Sequence, residues 1–421
     1  MKIRRLLVLS SLFSLFIHGH TLAQRYSAVQ VEFPESCHSF LPSLASEDGR
    51  VFGMCAPKPF AGTSRNYVGI WTPEQFVEIP DLQVFDIEQN VSGAFPNVSF
   101  DENDTIRTIS SEVWNNGLKD YDPDYTYGRR FFLNEYVIST GELNKTFIGE
   151  TSWGPLTVSG TPGISFWNLQ PDGTYLALSD YGRTDAFIDD PFQPQIVRPD
   201  TTITHTTQYE SVKLLGRNIR LLKNGLTYSR FSASPGQPDI AGRICDAESC
   251  EILPFQRFRG YVWESNKQGY LAGQLHRITD SSVADEAAVW IGNSSGELSG
   301  NSKYRYQWLG LPRNIPRAGV YSTTSLATDI SSNYVAVGLG PKNEPLIWAP
   351  KGQGKSPTNW RPRHLWRYIR KVTPVGIRKA YLGILRINDC GHILAINYYQ
   401  KNDGQNLVFL LTPDKLTCQR H

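Results

Sequence analysis

The sequence has few of the groups that announce an enzyme or a metalloprotein. It contains no CxxC or HExxH pattern, and its GxSxG match, GNSSG at 292–296, falls in a polar turn segment rather than an elbow between strand and helix. A structural zinc site needs about four closely spaced thiolate or imidazole ligands, and an elbow-type hydrolase needs the glycine-flanked serine on such an elbow. No metal, cofactor or catalytic residue is expected. Beyond residue 23, histidine occurs only at His38, His205, His276, His364, His392 and His421, never four residues from another histidine or a cysteine. There are two methionines and few long stretches of 3.6-residue apolar period, which argues against a helical protein. Net charge is also scarce. Three of the 42 basic residues (Lys2, Arg4, Arg5) lie before residue 24, leaving 39 against 40 acids. That near-neutral balance lacks the basic footprint of a nucleic-acid binder.

What is present begins with "MKIRRLLVLSSLFSLFIHGHTLAQ". A charged start, an apolar run from Leu6 to Ile17 and the small-residue stretch Thr21-Leu22-Ala23 make the order of a secretory signal peptide. The run is shorter than the roughly 18–20 residues of a membrane span, and no later stretch is apolar enough to span. The expectation is a signal peptide over 1–23 and one β-repeat domain over 24–421. The protein would be exported, periplasmic or extracellular, and not membrane-spanning.

Six cysteines follow the leader: Cys37, Cys55, Cys245, Cys250, Cys390 and Cys418. An even count in an exported chain reads as disulfides. Fifteen connectivities are open; proximity favours Cys37–Cys55, Cys245–Cys250 and Cys390–Cys418.

Twenty Tyr, 20 Phe and 10 Trp, with 35 Gly and 26 Pro spread along the chain, suit pleated strands broken by turns. One pattern recurs: polar turn residues, then Gly, Asn or Asp, then a short apolar run. Its copies are anchored at Gly49, Asp104, Gly173, Gly225, Gly269, Asn333 and Gly391. Two residues on sit Val51, Ile106, Tyr175, Leu271, Val335 and Ile393; the copy at Gly225 has Thr227 there and is the weakest. A second, aromatic strand follows several anchors, with Trp71, Phe187, Trp290, Trp348 and Phe409. A unit of two or more strands cannot bury its face alone, so neighbours must stack. The expected fold is all-β, a repeat architecture, as a β-propeller of about seven irregular blades.

"APKGQGKS", residues 349–356, fits a loose phosphate-loop pattern. A real one opens a helix whose N-terminal amides face the phosphates. Here Pro357 follows Ser356 and "PTNWRPR" has no helical period. The segment instead fills the turn slot of a repeat, as "IWTPEQFVEIP" and "VWIGNSSGELSG" do. Lys355 is therefore expected on an exposed hairpin turn.

"INDCGHILAINYYQKNDGQNLVFLLTP" (387–413) resembles the repeats of bacterial HAF-type extracellular-repeat proteins. "DISSNYVAVGLGPKNEPLIW" (329–348), "ESNKQGYLAGQLHRITDSSVADEAAVW" (264–290) and "LQPDGTYLALSDYGRTDAFI" (169–188) are similar. The resemblance covers the C-terminal two-thirds well and the first 150 residues poorly. It implies an exported, propeller-like β-repeat protein and carries over no catalytic residue.

Two surfaces are candidates for chemistry. Carboxylates at Asp101, Glu102 and Asp104, and at Asp185, Asp189 and Asp190, would serve a glycosidase if paired about 5 to 10 Å apart. Asp172 directly precedes Gly173 and reads as a turn residue. The other surface is basic: from Pro345 to Asn388 there is no acid. Arg361, Arg363, Arg367, Arg370 and Lys371, interleaved with Trp360 and Trp366, form a candidate anion-binding set. "RHLWRYIRKV" has Leu365, Ile369 and Val372 at helical spacing and is expected as a short amphipathic helix. The blander alternative is a solvated basic connector between repeats, with Trp360 and Trp366 in the core. The function expected is binding or structural work at the cell envelope or outside the cell. Its partner would be an anionic glycan, a lipid headgroup or an envelope protein. A glycan-active hydrolase with paired carboxylates on one propeller face is the alternative.

Overall fold

The computed structural model describes residues 25–57, 66–84, 98–101, 104–118, 127–153, 164–167, 169–179, 195–197, 217–231, 241–245, 250–253, 259–279, 282–292, 304–313, 325–351, 359–373, 384–397 and 407–415. These residues form strands and two short 3-10 turns, with no α-helix among them. No described helix is long and apolar enough to cross a membrane.

The strands make seven sheets, numbered here in chain order. A first strand, β1 (Tyr26–Val31), precedes them. Sheet one holds β2 (Ser39–Ala45), β3 (Val51–Ala56), β4 (Tyr67–Trp71) and β5 (Phe76–Gln83). Sheet two holds β6 (Val98–Phe100), β7 (Thr105–Asn115), β8 (Tyr127–Val137) and β9 (Glu142–Trp153). Sheet three has β10 (Ile164–Trp167), β11 (Tyr175–Ser179) and β12 (Gln195–Val197). Sheet four has β13 (Arg217–Leu221), β14 (Thr227–Phe231), β15 (Ala241–Cys245) and β16 (Cys250–Ile252). Sheet five has β17 (Arg259–Ser265), β18 (Leu271–Thr279), β19 (Ser282–Ile291) and β20 (Arg305–Trp308). Sheet six has β21 (Leu326–Ile330), β22 (Ala336–Leu339), β23 (Pro345–Pro350) and β24 (Trp360–His364). All six are wholly antiparallel meanders of consecutive strands.

Sheet seven differs. It contains β26 (Ile384–Ile387), β27 (Ile393–Asn397) and β28 (Leu407–Pro413), and then takes β1 from the other end of the chain. β1 runs antiparallel to β28, from Tyr26 opposite Pro413 to Val31 opposite Val408. On its far side it pairs in parallel with β25 (Ile369–Thr373).

One turn design joins the first and second strands of every sheet. In sheet five, Asn266 N donates to Tyr270 O (2.9 Å) and Gly269 N donates to Asn266 O (3.1 Å). The same pair of bonds forms from Ser46, Gln170, Leu222, Ser331 and Asn388, and sheet two keeps the bond from Asp101 N to Thr105 O. Each turn needs one residue in the left-handed region. Those residues are Gly49, Asp104, Gly173, Gly225, Gly269, Tyr334 and Gly391, with φ between 59° and 91°. Glycine enters this region without a Cβ penalty, which is why six of seven anchors were placed correctly. The seventh is corrected: the turn residue is Tyr334, not Asn333, and the buried position two residues on is Ala336, not Val335. The weak copy fits after all, since Thr227 is buried and its hydroxyl donates to Cys245 O (3.3 Å).

Cores lie between successive sheets. Phe52, Met54 and Ile70 of sheet one pack with Val98 and Ile106 of sheet two. Tyr228 and Ile244 of sheet four meet Val262, Leu275 and Trp290 of sheet five. Ala287 and Val289 of sheet five meet Trp348 and Trp360 of sheet six. Val337 and Ile347 of sheet six meet Leu385, Phe409 and Tyr26 of sheet seven. Leu394, Val408 and Leu410 of sheet seven meet Phe40, Val51 and Trp71 of sheet one. Trp290 and Trp348 are among the largest fully buried side chains; burying a large apolar side chain contributes roughly 1.5–3 kcal/mol.

The expected amphipathic helix over 363–372 is not formed. That stretch is the end of β24, a 3-10 turn over Leu365–Tyr368, and β25. β-branched Ile369, Val372 and Thr373 favour extended backbone, and pairing with β1 satisfies it. Leu365 is buried as expected.

Candidate functional site

Charged side chains from four sheets converge where the turns of sheets four to seven approach one another. Two of them, Glu264 and Asp329, are delivered by the first strand of a sheet through a bulge. In β17 the register shifts between Val262 and Glu264, and in β21 between Ala327 and Asp329. A bulge inserts one residue and re-aims the next side chain. It also pushes backbone onto the second strand, where only glycine fits: a Cβ on Gly273 would lie 2.0 Å from Tyr261 O, and one on Gly338 1.9 Å from Leu326 O. Glu264, Asp329 and, in β26, Arg386 thus hold the same place, two residues ahead of the turn.

Asp329 is fully buried. Lys223 Nζ, from the turn of sheet four, lies 2.7 Å from Oδ1 and 2.9 Å from Oδ2. Ile330 N donates to Oδ1 (2.8 Å) and Ile387 N, of sheet seven, to Oδ2 (3.0 Å). Arg386 Nη1 binds Glu264 Oε2 at 3.0 Å and stands 3.9 Å from Asp329 Oδ2. Glu264 Oε1 in turn accepts from Ser265 N (3.0 Å) and Lys223 N (3.2 Å). Two acids and two cations therefore balance. Burial pushes the Asp329 carboxyl above its ordinary range; Lys223 and Arg386 pull it back and Glu264 adds to the push.

A second link lies beside the first. Lys267 of sheet five reaches Asp389 of sheet seven (3.5 Å), whose Oδ1 also accepts from Ser332 N (2.9 Å). Burial raises the Asp389 carboxyl, but hydrogen bonding from Ser332, then Lys267 and Lys223, outweigh it and leave it low. These pairs join sheet four to six and sheet five to seven, passing over the sheet between. Comparison with known proteins finds no family model that matches the chain and no matching curated protein.

The residues singled out by sequence scatter across other places. Among the acids, Asp101 binds Arg107 (2.5 Å), which also holds Glu135 (2.7 Å). Asp104 binds Arg50 Nη2 (2.7 Å). Asp172 is the expected turn residue, accepting from Thr174 N (2.9 Å). Glu102, Asp185, Asp189, Asp190, Phe187 and Lys355 lie outside the described residues. The connection that contains Lys355 joins antiparallel β23 and β24, closed by Lys351 N to Asn359 O (2.8 Å).

The basic set divides. Trp360 is buried between sheets five and six, its indole N–H donating to Tyr334 O (2.7 Å). Trp366 packs partly buried against the core of sheets six and seven. Arg361 and Arg363 alternate along β24, the edge strand of sheet six, and Arg367 follows in the 3-10 turn; Arg361 and Arg367 are exposed, Arg363 half-buried. Arg370 and Lys371 are positions of β25, the edge strand of sheet seven. Burial draws the His364 imidazole below its ordinary value; Glu344 opposes this and Arg367 adds to it.

Cys37 and Cys55 form a disulfide. Cys245 stands directly opposite Cys250 in the ladder, and Cys245 and Cys390 each belong to a disulfide of their own. Cys418 lies outside the described residues. No group of three or more potential metal ligands occurs among the described residues.

Proposed function

We propose that this chain is an exported, non-catalytic β-repeat protein that binds a partner or serves structurally at the cell envelope or outside the cell. Its seven sheets act as the blades of a propeller, in kinship with the HAF-type extracellular repeats that its C-terminal two-thirds resembles. The blade reading draws support from one turn repeated in seven sheets. It draws further support from Asn388 Nδ2, which donates from the last sheet back to Ser46 O of the first (2.8 Å), and from a last sheet completed by the N-terminal strand.

One observation carries the preference for binding over catalysis. Glu264 and Asp329, the acids nearest the meeting point of the sheets, are each held by a cation and by backbone N–H groups. Asp329 accepts at all four of its lone-pair positions, and Glu264 keeps one, on the oxygen that Arg386 already binds, so neither is poised as base or nucleophile. The rival, a glycan-active hydrolase, rests on the same two acids flanking one Arg386 nitrogen.

Incubation of the purified full chain with a panel of linear glycans, reading new reducing ends, separates the two. Retention of a glycan without cleavage is the expected result. Cleavage that disappears in both Glu264→Gln and Asp329→Asn would establish the rival.

A further inference from the structure

We propose that the outer edge of sheet six is a docking rim for a linear polyanion, a polysaccharide bearing carboxylate or sulfate groups. The inference rests on the binding role proposed above and names its partner.

Strand period places Arg361 and Arg363 on one face of β24, about 7 Å apart. Arg361 lies opposite Ala349, and Lys351 continues that row beside Asn359. Arg367 extends it into the 3-10 turn. Lys351, Arg361 and Arg367 are exposed. None of these four cations has an ion pair with another described residue. Arg50, Arg107 and Arg386, by contrast, each bridge two acids. The rim lies within a stretch of sequence without Asp or Glu from Pro345 to Asn388; Glu344, just before it, is the acid that His364 feels.

Geometry selects the class of partner. The cations form a row along a strand edge, which an extended chain of charges can follow. Guanidinium groups grip planar carboxylates and sulfates through two N–H donors. A membrane surface fits less well, because stable insertion adds apolar side chains to the cations. The most exposed large apolar residues, Val113, Leu118 and Phe147, belong to or adjoin sheet two instead. Arginine on an edge strand has a second possible use, blunting edge-to-edge association of sheets, and the test must separate the two.

The full chain, its Arg361→Gln/Arg363→Gln/Arg367→Gln variant and the matching triple Lys variant would be titrated with heparin, polygalacturonate and neutral dextran. Vesicles of phosphatidylglycerol and phosphatidylcholine form a fourth arm. Expected is binding to both polyanions that falls with salt, is absent for dextran and vesicles, and drops about tenfold or more in the Gln variant. Partial recovery with Lys would show that charge acts at this place. Thermal melts must be unchanged; if the Gln variant unfolds, the Lys variant alone decides, by an altered preference between carboxylate and sulfate. Equal polyanion binding by wild type and Gln variant overturns the proposal. So does vesicle binding in preference to polymers, or a Gln variant that only self-associates. Glycan cleavage would sink the non-catalytic role and leave the rim standing, whereas unchanged binding by the variant sinks the rim alone.

Discussion

Lys223 and Asp329, 106 residues apart, meet at 2.7 Å across an intervening sheet. The carboxylate is buried and the Lys223 side chain is 40% exposed. The two ends of the pair therefore respond differently to mutation. Removing one partner of a buried pair costs about 3–5 kcal/mol. Asp329→Ala should approach that cost, since Ile330 N, Ile387 N and Arg386 also lose an acceptor. Lys223→Met should cost less, because its ammonium is part-solvated and Arg386 stays near. Denaturant titrations of both singles and the double measure the coupling. Equal, additive losses would show that the contact contributes nothing. The sign of the pH dependence follows from burial. Asp329 is raised, so its contribution is full below about pH 3.9, the ordinary Asp value, and is lost as pH rises through its folded value. Removing Lys223 raises it further. The Lys223→Met penalty should therefore grow as pH rises above the ordinary Asp range.

The bulge glycines give a second prediction. A Cβ on Gly338 meets backbone at 1.9 Å, whereas one on Gly225 meets nothing within 4 Å but sits at φ +80°. Gly338→Ala should cost about 3 kcal/mol, the upper part of the range for overpacking, and should displace Asp329. Gly225→Ala should cost about 1–2 kcal/mol, the backbone penalty of the left-handed region. Thermal melts of the two variants test the order. A Gly338→Ala protein as stable as wild type would mean the bulge is not fixed.

Trp360 tests whether the indole belongs to the fold. Trp360→Ala should destabilise by about 3–5 kcal/mol, as large aromatic truncations in cores do. Trp360→Phe should lose mainly the bond to Tyr334 O, about 1 kcal/mol. Urea midpoints check both. A stable Trp360→Ala protein would return this residue to the candidate binding surface.

These variants also mark what could be read in advance. The turns were legible because glycine at φ > 0 leaves a residue-type signature, and Asp104 shares it through its short polar side chain. Tyr334 was not, since a bulky residue in that region carries no such mark; the register slipped by one there. Edge pairing overrode the helical spacing of Leu365, Ile369 and Val372, and nothing local in "YIRKV" foretells β1 as its neighbour. The charged centre was missed for a similar reason. Glu264, Asp329 and Arg386 were unremarkable until aligned on their turns, and Lys223 meets Asp329 only through tertiary structure. One signal was available: charge at the same place in four repeats (Arg220, Glu264, Asp329 and Arg386), two residues before the turn. Trp360 and the arginines were adjacent in sequence, but strand alternation sends one inward and its neighbours out.

His392 gives the last prediction, at the seam between sheets seven and one. The ring is buried, and a Cβ on Gly49 would sit 3.4 Å from its Nε2. Its Nδ1 stands 3.2 Å from Asn388 Nδ2, and that amide also donates to Ser46 O. A nitrogen facing a donor must keep its lone pair, so the neutral ring fits and a protonated one does not. Burial lowers the His392 value, with Asp48 opposing. A histidine lowered on folding contributes stability that is full above its unfolded value, about 6.5, and is lost as pH falls through the folded value. His392 should therefore contribute less stability at pH 5 than at pH 7.5, against the opposite trend of Asp329. This window lies above the range where Asp48 and Asp389, both lowered, give up their charge. His392→Gln keeps a polar group at the seam but cannot titrate. From pH 7.5 to pH 5 its denaturation midpoint should fall less, or rise more, than that of wild type. An unchanged difference would place the acid sensitivity elsewhere and leave His392 a packing residue only.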